Sequence, residues 1–249
     1  MSRFLEKSVL ITGASRGLGR QLALDFGAEG AKVAVNYLSS ECEARETVSM
    51  IKKSGGESIA CRSDITLSHD VKEMVDTVIS AHGGIDILIN NAGISIDSPF
   101  LNISEDSLNR TIAVNLKGPF LVSQAVARSM MTAKRGRIIN ISATTAVQAR
   151  RGNANYAISK AGLNMLTQCM ALELGPYISV NSVALGYVDS PLVHELFSKD
   201  EIRRVVDLLP AKRMTTLIET SEFVRMLASD NASYITGQTI PFDGGRVMR

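Results

Sequence analysis

The sequence contains no tryptophan, and its 249 residues include only three cysteines and three histidines. The cysteines form no CxxC pair, and the histidines form no cluster with the spacing of metal ligands. This scarcity argues against a disulfide framework and against a metal centre. It favours reduced thiols in a cytoplasmic protein.

A strong charge imbalance and long apolar runs are also missing. The formal net charge is only +2, whereas nucleic-acid-binding domains usually carry a larger basic excess, so we expect no nucleic-acid partner. No apolar run is long enough to span a membrane, which takes about 18 residues or more. The polar start of the chain does not resemble a signal peptide, and we expect no membrane association.

What the sequence does contain is a regular alternation of short apolar runs and longer amphipathic segments. The predicted strands are residues 8–12, 32–37, 58–62, 85–90, 136–142, 178–184 and 238–241. The predicted helices are residues 17–29, 41–54, 68–82, one or two within 104–131, and 156–174. Because the strands are continuous Val/Ile-rich runs, the pattern predicts a doubly wound α/β fold: about seven parallel strands with helices on both faces. Residues 1–249 are expected to form one domain.

A glycine-rich turn directly follows the first predicted strand and opens the first helix. Its sequence is Thr12-Gly13-Ala14-Ser15-Arg16-Gly17-Leu18-Gly19. Glycine lets the backbone approach a ligand closely, and the helix N-terminus favours a pyrophosphate. The turn therefore predicts a dinucleotide site that uses Gly13, Ser15, Arg16, Gly17, Leu18 and Gly19. The alternative is an ordinary turn that needs glycine for its backbone angles.

The end of the second strand indicates which dinucleotide is bound. A carboxylate there usually accepts the ribose 2′-OH of NAD. Residues 35–40 contain none, and they supply Asn36, Ser39 and Ser40 instead. Arg16 and these hydroxyls would hold a 2′-phosphate, so we predict NADP(H) as the cofactor. The alternative is that Arg16 is only a solvated loop residue.

Five further motifs accompany the glycine turn. They are Asn90-Asn91-Ala92-Gly93, Val114-Asn115-Leu116, Tyr156-Ala157-Ile158-Ser159-Lys160, Ala184-Leu185-Gly186-Tyr187 and Tyr234-Ile235-Thr236-Gly237-Gln238. With them, essentially the whole chain resembles the classical short-chain dehydrogenases/reductases, and it looks most like the 3-oxoacyl-acyl-carrier-protein reductases among them. The resemblance implies a Rossmann-like fold, a homotetramer and a ketoreductase. It also adds cofactor contacts at Asp64, Ile65, Asn91, Ala92, Gly93, Tyr156, Lys160, Gly186, Val188 and Ser190.

Tyr156 and Lys160 are the predicted centre of the chemistry. Four residues apart, they share one face of a helix. A nearby ammonium favours the phenolate, so Lys160 is expected to lower the pKa of Tyr156, which would act as the general acid in carbonyl reduction. By resemblance, Lys160 would also bind the nicotinamide ribose, and Asn115 would hold a water that links Lys160 to solvent. The alternative for Asn115 is a buried residue at a helix kink.

One position departs from the family pattern. Relatives usually carry a serine 13 residues before the tyrosine, and here that position is Ala143. Ser142 is retained as a catalytic candidate, although neighbouring side chains on a strand point to opposite faces, so it needs a twist or bulge to serve. Three interpretations stay open: Ser142 or Thr144 supplies the hydroxyl, the enzyme works without it, or the protein is a non-catalytic cofactor-binding partner or scaffold.

The substrate is less well specified by the sequence. Residues 190–212 are the predicted lid, with apolar positions that include Val193 and Phe197, although an ordinary pair of surface helices is equally compatible. Arg150 and Arg151, near the predicted cleft, would contact an anionic substrate or be solvated. An acyl-carrier-protein-linked 3-oxoacyl thioester is the favoured substrate. The alternative is a free small-molecule alcohol or ketone.

Overall fold

A computed structural model of the protein describes residues 2–248, apart from the side chains of Pro191, Leu192 and Leu196. Within this range the strands are β1 (Ser8–Ile11), β2 (Lys32–Tyr37), β3 (Glu57–Arg62), β4 (Ile87–Asn90), β5 (Gly136–Ala143), β6 (Ile178–Leu185), β7 (Val188–Asp189), β8 (Thr215–Thr216) and β9 (Thr239–Phe242). The helices are α1 (Gly17–Ala28), α2 (Glu41–Lys53), α3 (Ser68–His82), α4 (Glu105–Ile112), α5 (Gly118–Ala133), α6 (Ala154–Leu174), α7 (Pro191–Leu196), α8 (Lys199–Leu208) and α9 (Leu217–Ala228).

Seven strands form one parallel sheet in the order β3-β2-β1-β4-β5-β6-β9. The order reverses between β1 and β4, so the carboxyl ends of these two strands diverge and leave a crevice where ligands bind in such folds. This confirms the predicted doubly wound α/β fold. The remaining strands, β7 and β8, pair with each other beside the sheet and were not predicted.

The strands bury both faces, which is why they read as continuous apolar runs. Val9, Ile11 and Ile139 pack on one face under α1, α2 and α9. Leu10 and Ile138 point to the opposite face, under α3, α5 and α6. Two separate apolar layers therefore hold the sheet between them.

Several boundaries differ from those predicted. β4 begins at Ile87 rather than at residue 85, and β5 continues one residue further, to Ala143. Residues 104–131 resolve into α4, a π-helical turn at Ala113–Lys117, and α5. The predicted lid contains α7 and α8, and α9 follows it. Short helices and a local π-turn leave little trace in hydrophobic periodicity, which is the signal used to predict them.

A substitution of Phe26 tests the packing of the apolar layer under α1, α2 and α9. Its side chain in α1 is fully buried, and its ring centroid lies 4.7 Å from that of Phe4. We expect Phe26→Ala to lower the free energy of unfolding by about 3–5 kcal/mol, because it leaves a cavity in a closed core. Phe100→Ala is the matched control, since Phe100 is 76% exposed. Equal denaturation midpoints for the two variants would contradict this packing.

Candidate active site

The glycine turn after β1 is held by close backbone contacts. Gly13 has φ +62°, and a Cβ there would lie 2.9 Å from the Cα of Ala92. A Cβ at Gly19 would lie 2.3 Å from the carbonyl oxygen of Gly13. Larger residues do not fit at either position. The turn therefore brings bare backbone to the N-terminus of α1, where unpaired N–H groups and the helix dipole attract a phosphate.

A cavity of about 720 Å³ lies over this turn, at the carboxyl edge of the sheet. Its volume is in the range of small-molecule and cofactor sites. Fifteen of the predicted cofactor-binding residues line it: Gly13, Ser15, Arg16, Gly17, Leu18, Gly19, Asn36, Ser39, Asp64, Ile65, Asn91, Ala92, Gly93, Val188 and Ser190. The cradle formed by the glycine turn and the size of the cavity fit a dinucleotide.

Three predicted cofactor residues do not line the cavity. Gly186 packs against Asp243, since a Cβ there would be 2.7 Å from the Cα of that residue. Tyr156 and Lys160 are also outside the lining, but Lys160 binds the backbone of Ile141, which does line it. Sequence reasoning missed Arg110 and Leu217, which complete the wall and belong to no motif that could have identified them.

The end of β2 carries no charged side chain. Asn36 is buried, and its side chain binds backbone: Oδ1 accepts from Gly13 N at 3.2 Å, and Nδ2 donates to the carbonyl oxygens of Cys61 and Ser63, each at 3.3 Å. It shapes the site rather than offering its amide to a ligand. No carboxylate follows until Glu41, and that side chain is paired with Arg45 at 2.7 Å.

Two arginines flank this neutral edge. Arg16 belongs to the glycine turn, and Arg62 ends β3 with its Nε donating to the carbonyl oxygen of Leu38 at 3.3 Å. Within residues 2–248 neither has a carboxylate at ion-pairing distance, whereas Arg20 pairs with Glu46 at 2.8 Å. Sequence reasoning missed Arg62, because only the pairing of β2 with β3 brings it to Leu38.

Lys160 links the long helix α6 to the end of β5. Its Nζ donates to the carbonyl oxygen of Ile141 at 2.7 Å and lies 5.7 Å from the centre of the Tyr156 ring. Only 4% of Lys160 is exposed. The phenol and the ammonium therefore meet where β5 reaches the crevice, as the four-residue spacing predicts.

The pKa values of this pair differ from expectation. Burial, together with the nearby charge of Asp97, raises the pKa of Tyr156 to about 12, although the charge of Arg150 acts to lower it. Burial also lowers the pKa of Lys160 to about 8. Lys160 is not among the groups that shift the pKa of Tyr156, so the predicted lowering of this pKa is not found: enclosing the ring disfavours the phenolate.

Asn115 is fully buried in the π-helical turn. Its Oδ1 accepts from Ile94 N at 2.8 Å, and its Nδ2 donates to Ile94 O at 2.8 Å and to Ser159 Oγ at 3.1 Å. Ser159 Oγ in turn donates to Tyr156 O at 2.7 Å. Because these bonds occupy both amide protons, the geometry favours a buried residue at a kink that positions the first turn of α6.

The end of β5 settles the orientation of Ser142. The strand pairs residue by residue with β6 through Ala143, without a bulge, and Ala143 has extended angles of φ −146° and ψ 151°. Ser142 is buried, and its hydroxyl lies 3.5 Å from the carbonyl oxygen of Lys160, in the backbone of α6. The twist that Ser142 would need is absent, so the strand directs it away from the side of Ala143.

The loops beside Tyr156 are joined by an ion pair. Arg150 binds Asp97, Ser95 Oγ donates to Asp97 at 2.7 Å, and Ser98 N donates to Gly152 O at 2.8 Å. Arg150 is thus already neutralised, while the exposed Arg151 has no carboxylate partner among the described residues.

In the predicted lid, Ser190 and Glu195 line the cavity, and the Phe197 ring lies edge-on to Tyr187 at 6.4 Å. The side chains of Leu192 and Leu196, also predicted for the lid, lie outside the described residues.

Two further findings concern the molecule as a whole. From residue 2 to residue 248, no helix combines the length and apolar character needed to cross a membrane. In the same part of the chain, no group of three or more His, Cys, Asp or Glu side chains is placed to hold a metal ion.

Comparison with known proteins places this site in context. A family model described as "Enoyl-(Acyl carrier protein) reductase" matches residues 13–246. The 3-oxoacyl-[acyl-carrier-protein] reductase FabG of Staphylococcus epidermidis is 40% identical over 98% of this chain and 100% of its own length. The 3-oxoacyl-[acyl-carrier-protein] reductase of Synechocystis is 36% identical over the full length of both chains.

Solved structures agree with the fold. A putative short-chain alcohol dehydrogenase from Sinorhizobium meliloti superposes with a TM-score of 0.92 at 32% identity, over 97% of this chain and 96% of its own. A NAD⁺-bound xylitol dehydrogenase gives the same TM-score at 30% identity, over 98% of this chain and 100% of its own. The chain therefore belongs to the short-chain dehydrogenase/reductase family of nicotinamide-dependent oxidoreductases.

Proposed function

We propose that the protein is an NADPH-dependent ketoreductase that converts a 3-oxoacyl thioester, carried on acyl carrier protein, to the 3-hydroxyacyl thioester. The observation that carries this proposal is the Tyr156–Lys160 pair, whose ammonium binds the carbonyl oxygen of Ile141, a residue that lines a dinucleotide-sized cavity. The full-length similarity to reductases named for this substrate supports the choice of thioester. The proposal includes a homotetramer in the cytoplasm.

The chemistry follows from the protonation states of the pair. When bound, NADPH supplies a hydride to the carbonyl carbon. The C=O π electrons move to the oxygen, which takes the proton of the Tyr156 hydroxyl. A pKa of about 12 keeps this hydroxyl protonated at neutral pH, which is the form that a general acid needs. Lys160 places a positive charge beside the phenolate that forms, and Asn115 fixes the helix turn that carries Tyr156.

The direct test is NADPH oxidation with an acetoacetyl thioester. We expect turnover by the wild-type protein and a loss of about 10²- to 10⁴-fold in kcat for Tyr156→Phe, which removes the proton donor. Tyr177→Phe is the matched control, because that exposed tyrosine lies beside Lys134 at 5.7 Å, outside the site. A Tyr156→Phe variant as active as Tyr177→Phe would refute the assignment of the general acid.

A free small-molecule alcohol or ketone is the second candidate substrate. Arg150 is paired with Asp97 and is therefore not free to bind a carrier-bound phosphate, which favours a free small molecule as the substrate. Activity with free ketones or polyols, and none with an acyl-carrier-protein thioester, would establish this alternative. NADPH binding without turnover of any carbonyl compound would point to a non-catalytic partner or scaffold.

The preference for NADP(H) is part of the proposal. It rests on the absence of a carboxylate at the end of β2 and on the guanidinium groups of Arg16 and Arg62, neither of which has a carboxylate partner within residues 2–248. The xylitol dehydrogenase neighbour was solved with NAD⁺, so the family fold alone does not decide this point. A 2′-phosphate needs cationic hydrogen-bond donors, which both arginines provide.

We expect Arg16→Ala and Arg62→Ala each to raise the KM for NADPH while leaving the KM for NADH nearly unchanged. The physical reason is that only NADPH carries the charged 2′-phosphate that these side chains would contact. Arg45→Ala is the control, because its guanidinium is committed to Glu41. Comparable wild-type efficiency with both cofactors would contradict the preference.

The pH profile tests Lys160. Burial lowers its pKa to about 8, so the ammonium is charged below that pH and loses its proton above it. We expect kcat/KM for ketone reduction to be level below about pH 8 and to decline by about tenfold per pH unit above it. Lys160→Arg, if it keeps a measurable rate, should remove this decline because a guanidinium stays charged. A wild-type profile that stays level well above the pKa of Lys160 would exclude this role for the ammonium.

A further inference from the structure

Carbonyl reduction calls for a second hydrogen-bond donor at this site. As the hydride reaches the carbon, negative charge develops on the carbonyl oxygen, and donors aimed at that oxygen stabilise the transition state. Tyr156 supplies one donor. The methyl group of Ala143, at the end of β5 beside it, cannot supply another. The inference below rests on the proposed ketoreductase function and concerns which side chain provides the missing hydroxyl.

Ser142 and Thr144, the two hydroxyls adjacent to Ala143, point the wrong way. Each is one residue from Ala143, and a step along an extended strand reverses the side-chain direction. The hydroxyl of Ser142 lies against the backbone of α6, near Lys160 O. Thr144 is only 2% exposed. By the alternation of side chains along the strand, both face away from the side on which Ala143 stands.

Thr145 returns to the side of Ala143. Residues Thr144–Ala146 form a 3₁₀ turn that directly continues β5. A 3₁₀ helix has about three residues per turn, so each step rotates the side chain by about 120°. A strand step followed by a 3₁₀ step leaves Thr145 within about 60° of the direction of Ala143. The turn thus directs the side chain of Thr145 toward the same side as the methyl group of Ala143.

The hydroxyl of Thr145 is also unusual in its surroundings. Its Oγ1 is enclosed and has no hydrogen-bond partner within residues 2–248, although the residue as a whole is partly exposed. A buried hydroxyl without a partner is unfavourable, and most native structures avoid it. Rotation about the Cα–Cβ bond moves a threonine hydroxyl between staggered positions, so this hydroxyl can change its direction without any change in the backbone.

Tyr156 lies at the same end of the strand. Lys160 Nζ contacts Ile141 O at 2.7 Å, two residues before Ala143, and lies 5.7 Å from the Tyr156 ring. We propose that Thr145 is a catalytic residue whose hydroxyl donates a hydrogen bond to the substrate carbonyl oxygen, in place of the side chain that Ala143 lacks. Thr145 keeps its proton throughout, while the proton transferred to the oxygen comes from Tyr156.

The test compares four variants, with Thr144→Val as a control, in NADPH oxidation with an acetoacetyl thioester. Thr145→Val keeps the shape and removes the hydroxyl, and we expect kcat to fall by about 10²- to 10³-fold. The KM for NADPH and the melting temperature should not change, which distinguishes catalysis from a structural role. Thr145→Ser should keep most of the rate. Ala143→Ser alone should add little, whereas the double variant Ala143→Ser/Thr145→Val should recover the rate lost in Thr145→Val.

Three results would overturn the inference. The first is a Thr145→Val rate equal to wild type. The second is a loss in Thr144→Val instead, which would assign the hydroxyl to that residue. The third is an Ala143→Ser variant that is faster than wild type by a factor of the size expected for one donor, because the site would then lack a donor. In each case the reductase itself remains active. If neither wild type nor Ala143→Ser turns over any 3-oxo thioester, the proposed function fails, and the role of Thr145 fails with it.

Discussion

A single hydrogen bond, from the buried ammonium of Lys160 to the carbonyl oxygen of Ile141, ties the chemistry to the fold. Ile141 belongs to a central strand and is one of the residues that line the dinucleotide cavity. Lys160 belongs to the helix that carries Tyr156. The bond therefore sets the distance between the proton donor and the cavity. It also explains why a charged group is tolerated in so enclosed a place, since burying an ammonium without a partner is costly.

A second constraint operates at the opposite side of the crevice. The side-chain amide of Asn36 binds Gly13 N in the glycine turn and the carbonyl oxygens of Cys61 and Ser63, at and just after the end of β3. It thereby fixes the turn against the strands without adding charge. The preference for one dinucleotide over another then depends on the side chains around the end of β2 rather than on Asn36 itself. Such a division lets the phosphate cradle stay rigid while cofactor choice is set by a few peripheral side chains.

Much of this arrangement could be predicted from the sequence because it depends on local pattern. Buried parallel strands are recognisable as continuous apolar runs, and the glycine turn follows directly from the residues that need close backbone contact. Counting 13 residues back from Tyr156 also identified Ala143 as the position that departs from the family pattern. Ser142 could only be tested once the regular pairing of β5 with β6 was known, because a bulge of one residue would have reversed the result.

Other features depend on contacts between distant segments and leave no local signal. The pKa of Tyr156 is set mainly by enclosure, with contributions from Asp97 and Arg150, which lie in two different loops. Spacing along a helix identifies Lys160 as a neighbour of Tyr156. It does not show how far folding excludes solvent from the Tyr156 ring. Only strand pairing brings Arg62 to Leu38, a residue that lines the cavity. That the enclosed hydroxyl of Thr145 has no hydrogen-bond partner within residues 2–248 could likewise be recognised only from the three-dimensional structure.

The π-helical turn at Ala113–Lys117 has a consequence for how the chain tolerates insertions and deletions. Each residue of an α-helix advances the side-chain direction by about 100°, and the wide turn holds one residue more than a regular one. Removing one residue there would convert the wide turn into a regular α-helical turn, and the relative rotation of α4 and α5 would be nearly preserved. Val122 and Val126 would then keep their places in the apolar layer under the sheet. The wide turn is therefore a position where the chain can lose one residue while both helices stay in register with a single core.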